Sequence, residues 1–252
     1  MEKFDAIIIG GGSAGYAAAR TIREVWDNVA IVDAAEELGG LCILRGCMPS
    51  KTLIYSTEVL HLAQKGSLFG LDIPQAKVDM PGLHARKVRM IDEFKEYRQE
   101  QLQSNRFTLI RERARFTGPD TLVVEPSMRE LTAKVFIVAT GSVVNLPPVP
   151  GLDHPDIWTS DDVLELDHLP ESAIVLGGGV VACELAQFLN RAGTRVTQIQ
   201  RSPRILKENS PEAADVVMQA VRDEGLNLIT GTKLLKVEKT EGGFSVTFED
   251  DS

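Results

Sequence analysis

An α/β fold with two parallel sheets is what this sequence predicts. Three observations carry that expectation. A short apolar run, a glycine-rich loop and an amphipathic helix occur in the same order twice, near residue 10 and near residue 177. Short β-type stretches between the copies call for an antiparallel excursion. The chain has 252 residues, 43% hydrophobic and 25% charged, which suits one or two globular domains with real cores.

The elements follow in order. Ala6-Ile7-Ile8-Ile9 is a continuous apolar run, as in a strand buried on both faces. Gly10-Gly11-Gly12-Ser13-Ala14-Gly15 follows, and a helix is expected from about Ala14 to Val25. Val29-Ala30-Ile31-Val32 is the next strand, and Asp33 closes it. This βαβ unit has the glycine spacing of a Rossmann-like dinucleotide site. One glycine makes the tight turn, one lets a pyrophosphate approach, and one packs helix on strand. The phosphates would sit on the helix N-terminus, and Asp33 stands where a carboxylate accepts ribose hydroxyls.

Ser50 to about Gln64 reads as a helix with apolar Leu53, Ile54, Val59, Leu60 and Ala63. Pro49 suits its first turn. Residues 86–105 read as an exposed charged helix. Four short strands are expected between 106 and 138, the last running into Ala139-Thr140-Gly141, where small residues admit a ligand or another backbone. Arg106, Arg111, Arg113 and Arg115 are interleaved with these strands and read as a solvated sheet face. Leu146-Pro147-Pro148-Val149-Pro150-Gly151 reads as a linker, giving domains 1–146 and 147–252.

The second copy begins with strand Ala173-Ile174-Val175-Leu176. Gly177-Gly178-Gly179-Val180-Val181-Ala182 is its loop, and a helix is expected from about Val180 to Ala192, then strand Arg195–Ile199. Two such sites imply two different dinucleotides. The offset from Gly10 to Asp33, counted on from Gly177, falls on Gln200, with Arg201, Arg204 and Lys207 close behind. A carboxylate there would repel a 2′-phosphate, whereas an amide and cations accept one. That favours NADPH over NADH, against the plainer reading of a solvated basic turn. A hairpin turning at Gly242-Gly243 closes the pattern.

Composition excludes several roles. A net charge of −9 with no basic stripe argues against nucleic acid. No secretory leader and no 18-residue apolar span are visible, so a soluble, cytoplasmic protein without membrane contact is expected. In a reducing compartment three cysteines point away from a structural disulfide framework.

Two of those cysteines lie five apart in Gly39-Gly40-Leu41-Cys42-Ile43-Leu44-Arg45-Gly46-Cys47-Met48-Pro49-Ser50-Lys51. In a regular helix this separation spans roughly 8 Å at 1.5 Å per residue, beyond the ~7 Å reach of a disulfide. A bonded pair therefore needs a distorted segment, and Gly46 gives latitude. Cys47 would sit at a helix N-terminus, where the dipole and Lys51 favour a thiolate. From the pair alone, inert thiols and a redox couple both stay open. No metal site is expected, because Cys183, His61, His84, His154 and His168 are scattered.

Together, GGLCILRGCMPSK, GGGSAG with Asp33, VFIVATGS and GGGVVACELA resemble the FAD-dependent pyridine nucleotide–disulfide oxidoreductases, which include lipoamide dehydrogenase, glutathione reductase and mercuric reductase. The resemblance covers essentially the whole chain. It implies FAD on Gly10, Gly12, Ser13, Ala14, Gly15, Asp33, Gly40, Lys51, Ala139, Thr140 and Gly141. It implies NAD(P)H on Gly177, Gly179, Val180, Gln200 and Arg201. It implies a redox-active Cys42–Cys47 disulfide, with Cys47 against the flavin and Cys42 exchanging with a dithiol or disulfide substrate. Lys51 would lie near flavin N5, paired with Glu184.

The resemblance further implies a homodimer and an activity most like dihydrolipoamide dehydrogenase. The alternatives are a mercuric-reductase-like NADPH enzyme and a non-catalytic FAD-binding protein. Val180 stands where glutathione reductases carry a tyrosine, which leans against glutathione. Members of the family continue into a returning FAD segment and a C-terminal dimerisation domain with a His–Glu pair. This chain stops at Ser252 within the second domain, so it is expected to be part of a longer protein and inactive alone.

Overall fold

The structure, a computed structural model, describes residues 1–250. The chain divides into two compact units, one of residues 1–49 with 88–143 and one of residues 50–87 with 144–252. The elements are, in order, β1 (Glu2–Ile9), α1 (Ser13–Ile22), β2 (Val29–Val32), α2 (Gly40–Leu44), α3 (Cys47–Gln64) and α4 (Met80–Leu102). Four strands follow, β3 (Thr108–Ile110), β4 (Arg113–Phe116), β5 (Thr121–Glu125) and β6 (Arg129–Val138). Then come α5 (Ser160–Leu164), β7 (Ser172–Leu176), α6 (Val180–Ala192), β8 (Arg195–Gln200) and α7 (Pro211–Asp223). The last elements are β9 (Asn227–Thr230), β10 (Thr232–Thr240) and β11 (Gly243–Asp250).

The first unit is built on a six-stranded sheet of order β3-β2-β1-β6-β5-β4. Strand β1 runs parallel to both β2 and β6, with Ile8 opposite Ile31 and Ile137. Strands β4, β5 and β6 pair antiparallel, the expected excursion. The continuous apolar sequence of β1 and β2 has its physical cause here. Ala6, Ile8, Val29 and Ile31 face one apolar cluster with Tyr16 and Ala19 of α1. Ile7, Ala30 and Val32 face a second, with Leu122, Val124 and Leu131.

The second unit carries a three-stranded parallel sheet of order β7-β8-β9 and a β10-β11 hairpin. The hairpin register pairs Thr240 with Gly243, so the turn is Glu241-Gly242, one residue before the expected Gly242-Gly243. Helix α6 spans Val180–Ala192, as its sequence predicts. Leu185, Phe188 and Leu189 of α6 share one core cluster with Leu53 of α3 and Met80 and Leu83 of α4. That burial explains why residues 50–87, which the linker-based division puts in the first domain, pack within the second unit. Helix α7 and strand β9 are not expected from apolar periodicity. Their local signals are Ser210, whose hydroxyl caps Ala213 N–H at 3.2 Å, and Pro211 in the first turn. Among the described residues no helix is long and apolar enough to cross a membrane.

Candidate functional site

The first glycine loop leaves β1 and enters α1. Gly10 has φ +105°, and a Cβ there would stand 2.3 Å from the Ala139 carbonyl oxygen, so only glycine fits. Ala139 N–H in turn donates to Ile9 O at 2.8 Å, which fixes the Ala139-Thr140-Gly141 turn beside the loop. Gly15 packs against the Gly10 carbonyl, the close helix–strand approach its spacing implies. Gly12 caps α1 without any side-chain hydrogen bond, leaving the first-turn N–H groups at Ser13, Ala14 and Gly15 uncapped by side chains. Asp33 stands beside this end. Its Oδ2 accepts Gly11 N–H at 2.7 Å and its Oδ1 accepts Ala35 N–H at 2.8 Å. Each oxygen keeps a further acceptor position. Orphan donors for a pyrophosphate and a half-buried acceptor for a ribose are the features a dinucleotide needs, and FAD fits them.

The cysteine segment packs directly on that loop. Gly40 has φ +73°, and a Cβ there would lie 2.4 Å from Gly12 Cα. Cys42 is carried by the short helix α2, which ends at Arg45, whose φ −142° and ψ 23° are neither helical nor extended. The chain then folds back. A Cβ on Gly46 would lie 3.0 Å from Leu41 O and 3.2 Å from Cys42 Cα. Helix α3 restarts at Cys47. The helical path thus breaks at Arg45-Gly46, and Cys42 and Cys47 are separate thiols in this structure, not the bonded pair that the resemblance implies. Cys42 is half-buried and Cys47 exposed. Lys51 stands one turn further along α3.

The second glycine loop repeats the first with different chemistry. Gly177 has φ +118°, and Gly179 caps α6, again without a side-chain hydrogen bond. A Cβ on Gly178 would lie 2.9 Å from the Gln200 side chain, just as one on Gly11 would lie 2.9 Å from Asp33 Oδ2. Gln200 thus occupies the place of Asp33, with an amide for a carboxylate and 8% exposure. Val180 is exposed at the first turn of α6. Arg201 is exposed and pairs with no carboxylate among the described residues, whereas Lys207 is paired with Glu208 at 3.2 Å. Cys183 lies half-buried at this loop, its Sγ 3.6 Å from Gln198 Nε2, and burial pushes its thiol up.

In the second unit Lys51 Nζ donates to Glu184 Oε1 at 2.5 Å, joining α3 to α6. Two arrangements escaped the sequence. Arg111, read as part of a solvated face, donates to the carbonyls of Ala35 and Glu36 and so holds the loop after Asp33. Arg191 binds Glu224 and Glu58. No local signal could reveal either, because every partner is distant in sequence. No group of three or more His, Cys, Asp or Glu side chains among the described residues could hold a metal ion.

Comparison with known proteins agrees with this geometry. The family model for pyridine nucleotide-disulphide oxidoreductases matches residues 4–252. A mercuric reductase of Lysinibacillus sphaericus is 33% identical over 240 residues, covering 95% of this chain and 43% of the relative. A dihydrolipoyl dehydrogenase of Thermus scotoductus is 34% identical over 253 residues, covering 99% of this chain and 53% of the relative. Among solved structures, the HOCl-induced flavoprotein disulfide reductase RclA of Escherichia coli superposes with TM-score 0.81 at 25% identity, covering 98% of this chain and 53% of that one. The chain spans about half the length of these relatives.

Proposed function

The chain belongs to the pyridine nucleotide-disulphide oxidoreductase family, and from that premise we propose that the protein it represents is a flavin-dependent disulfide oxidoreductase using the Cys42–Cys47 pair. Members of this family bind FAD and NAD(P)H. When bound, these groups supply the hydride chemistry that amino-acid side chains lack. The reading rests above all on one observation. The segment that carries Cys42 packs through Gly40 on a glycine loop whose first-turn donors and Asp33 suit a dinucleotide, and at Gly46 it folds back on Cys42 just before Cys47.

The roles follow from position. Ser13, Ala14 and Gly15 would hold the FAD pyrophosphate, Asp33 a ribose, and Gly40 and Ala139-Thr140-Gly141 would flank the cofactor. Cys47 opens α3, and its place in the family's cysteine motif makes it the thiol on the flavin side. Cys42 is the exchanging one. Two electrons and two protons convert the Cys42–Cys47 disulfide to two thiols. The Cys42 thiolate then attacks a substrate disulfide, forming a mixed disulfide and expelling a substrate thiolate. Cys47 attacks Cys42 Sγ, releases the second substrate thiolate and regenerates the internal bond. The reverse sequence oxidises a dithiol. Lys51, paired with Glu184, would stand near flavin N5.

We take a dihydrolipoamide-type dithiol as the substrate and a homodimer as the working form. A second reading, a mercuric-reductase-like enzyme, is favoured by the Gln200–Arg201 turn, which also favours NADPH. The test is turnover with dihydrolipoamide and with mercuric ion, each with NAD and NADP coenzymes. Dithiol turnover lost in both Cys42→Ser and Cys47→Ser supports the first reading. Mercury-dependent NADPH oxidation without dithiol turnover supports the second. Dithiol turnover that survives both substitutions would sink the thiol assignment.

A further inference from the structure

We propose that Arg191 is a positioning residue: clamped by Glu224 and paired with Glu58, it sets the register of α3 against α6 and so holds the Lys51–Glu184 pair in place. The functional weight of this device rests on the disulfide reading, because α3 is the helix that Cys47 opens.

Two ion pairs join the helices, Lys51–Glu184 and Glu58–Arg191, and each has the same sequence separation of 133 residues. A constant difference, rather than a constant sum, means that α3 and α6 run side by side in the same direction. The rungs are seven residues apart on both helices, two turns or about 10 Å. Between them Leu53, Leu185 and Phe188 share one buried cluster. The polarity alternates, with the cation on α3 in the first rung and on α6 in the second. A slip of seven residues would therefore set Lys51 against Arg191 or Glu58 against Glu184, like charge on like charge. Charges at helix seams specify register in this way in coiled coils.

The rungs are unequal. Lys51 is 57% exposed, and an exposed pair is weak and free to come apart. Arg191 is only 10% exposed and Glu224 11%. Arg191 Nε and Nη2 donate to both Glu224 oxygens, at 2.8 and 2.6 Å. Glu224 also accepts Gln187 Nε2 at 3.2 Å, and its carbonyl accepts Asn190 at 3.0 Å. Such a two-pronged, half-buried guanidinium is geometrically fixed. It hands Glu58 a fixed partner, and the shared helix α3 carries that placement two turns up to Lys51.

The test reads Lys51 directly in this chain. Limiting acylation with an N-hydroxysuccinimide ester, followed by peptide mass spectrometry, gives the rate at Lys51 relative to Lys233 and Lys236. Glu184→Gln should raise that ratio about threefold, in keeping with a weak exposed pair. Arg191→Lys, which keeps the charge but loses the fork, should raise it similarly. The double variant should react no faster than either single one, since both break the same contact. If Arg191→Lys will not fold by circular dichroism, Glu58→Gln carries the test with the same expected rise. An unchanged Lys51 rate in Arg191→Lys or Glu58→Gln beside a lowered Tm would mark a merely structural network and overturn the proposal. So would two effects that multiply, or no response to Glu184→Gln. Because the readout is lysine labelling, it fails or holds separately from the disulfide chemistry.

Discussion

At the scale of residues, glycines decide what the cysteine segment can be. Gly40 combines φ +73° with a backbone approach of 2.4 Å for any Cβ, and the atom met is Gly12 Cα, which cannot rotate away. Gly40→Ala should therefore cost about 1–3 kcal/mol of stability from the backbone conformation alone, measurable by urea unfolding. An unchanged midpoint would refute this account of the loop. Gly46 has ordinary φ, but a Cβ on it would lie 3.2 Å from Cys42 Cα. Gly46→Val should push the fold-back open and make the Cys42–Cys47 disulfide easier to reduce in a glutathione redox buffer. A potential equal to wild type would show that the fold-back does not bring the thiols together. In the second loop Arg201→Ala should weaken NADPH binding about tenfold or more and leave NADH unchanged, the loss of one charge-assisted contact to a 2′-phosphate. Equal affinity for both coenzymes in wild type would make the turn an ordinary solvated one. The motif glycines were legible in the sequence because a tight turn leaves a residue type behind. Gly46 was legible only as latitude, since the atoms it must avoid belong to the same fold-back it creates.

At the scale of elements, charge ties helices together in ways that no window of sequence displays. Burial pushes Glu224 up, but the Arg191 guanidinium and Gln187 outweigh it and hold the carboxyl below its ordinary value. The sign then follows. A carboxyl with a depressed folded pKa contributes stability above its unfolded value, near 4.3, and that contribution disappears as pH falls through the folded one. Wild type should accordingly lose Tm on acidification from about pH 5 downward more steeply than Glu224→Gln, which should start lower at neutral pH. Parallel Tm curves for the two proteins would contradict the clamp. Strands β1 and β2 and helix α6 were readable because their apolar periodicity matches the faces they bury. Helix α7 was hidden, although Ser210-Pro211 marks its start, because its buried residues Ala214, Met218 and Val221 form a thin stripe in a polar sequence. Arg111 is exposed, as its sequence suggested, but its hold on the loop was hidden for a related reason. Its partners are backbone carbonyls of the loop after Asp33, and carbonyls leave no trace in composition.

At the scale of the molecule, the duplicated βαβ pattern carries most of the fold, and the two loops differ where their chemistry must. Asp33 and Gln200 occupy matching places beside Gly11 and Gly178, the difference on which the proposed use of two dinucleotides rests. The proline-rich stretch after Leu146 locates a change of unit within a few residues of Val143, but it cannot show that residues 50–87 pack with the later segment. That grouping depends on long-range burial of Leu53, Met80 and Leu83 with α6. The central claim is that the Cys42–Cys47 pair is a second two-electron store beside the flavin. Anaerobic dithionite titration of the flavin-loaded protein tests it most directly. The account predicts four electrons per flavin, two of them taken up by the disulfide, and two electrons in Cys42→Ser. Uptake of only two electrons by the wild-type protein would contradict it.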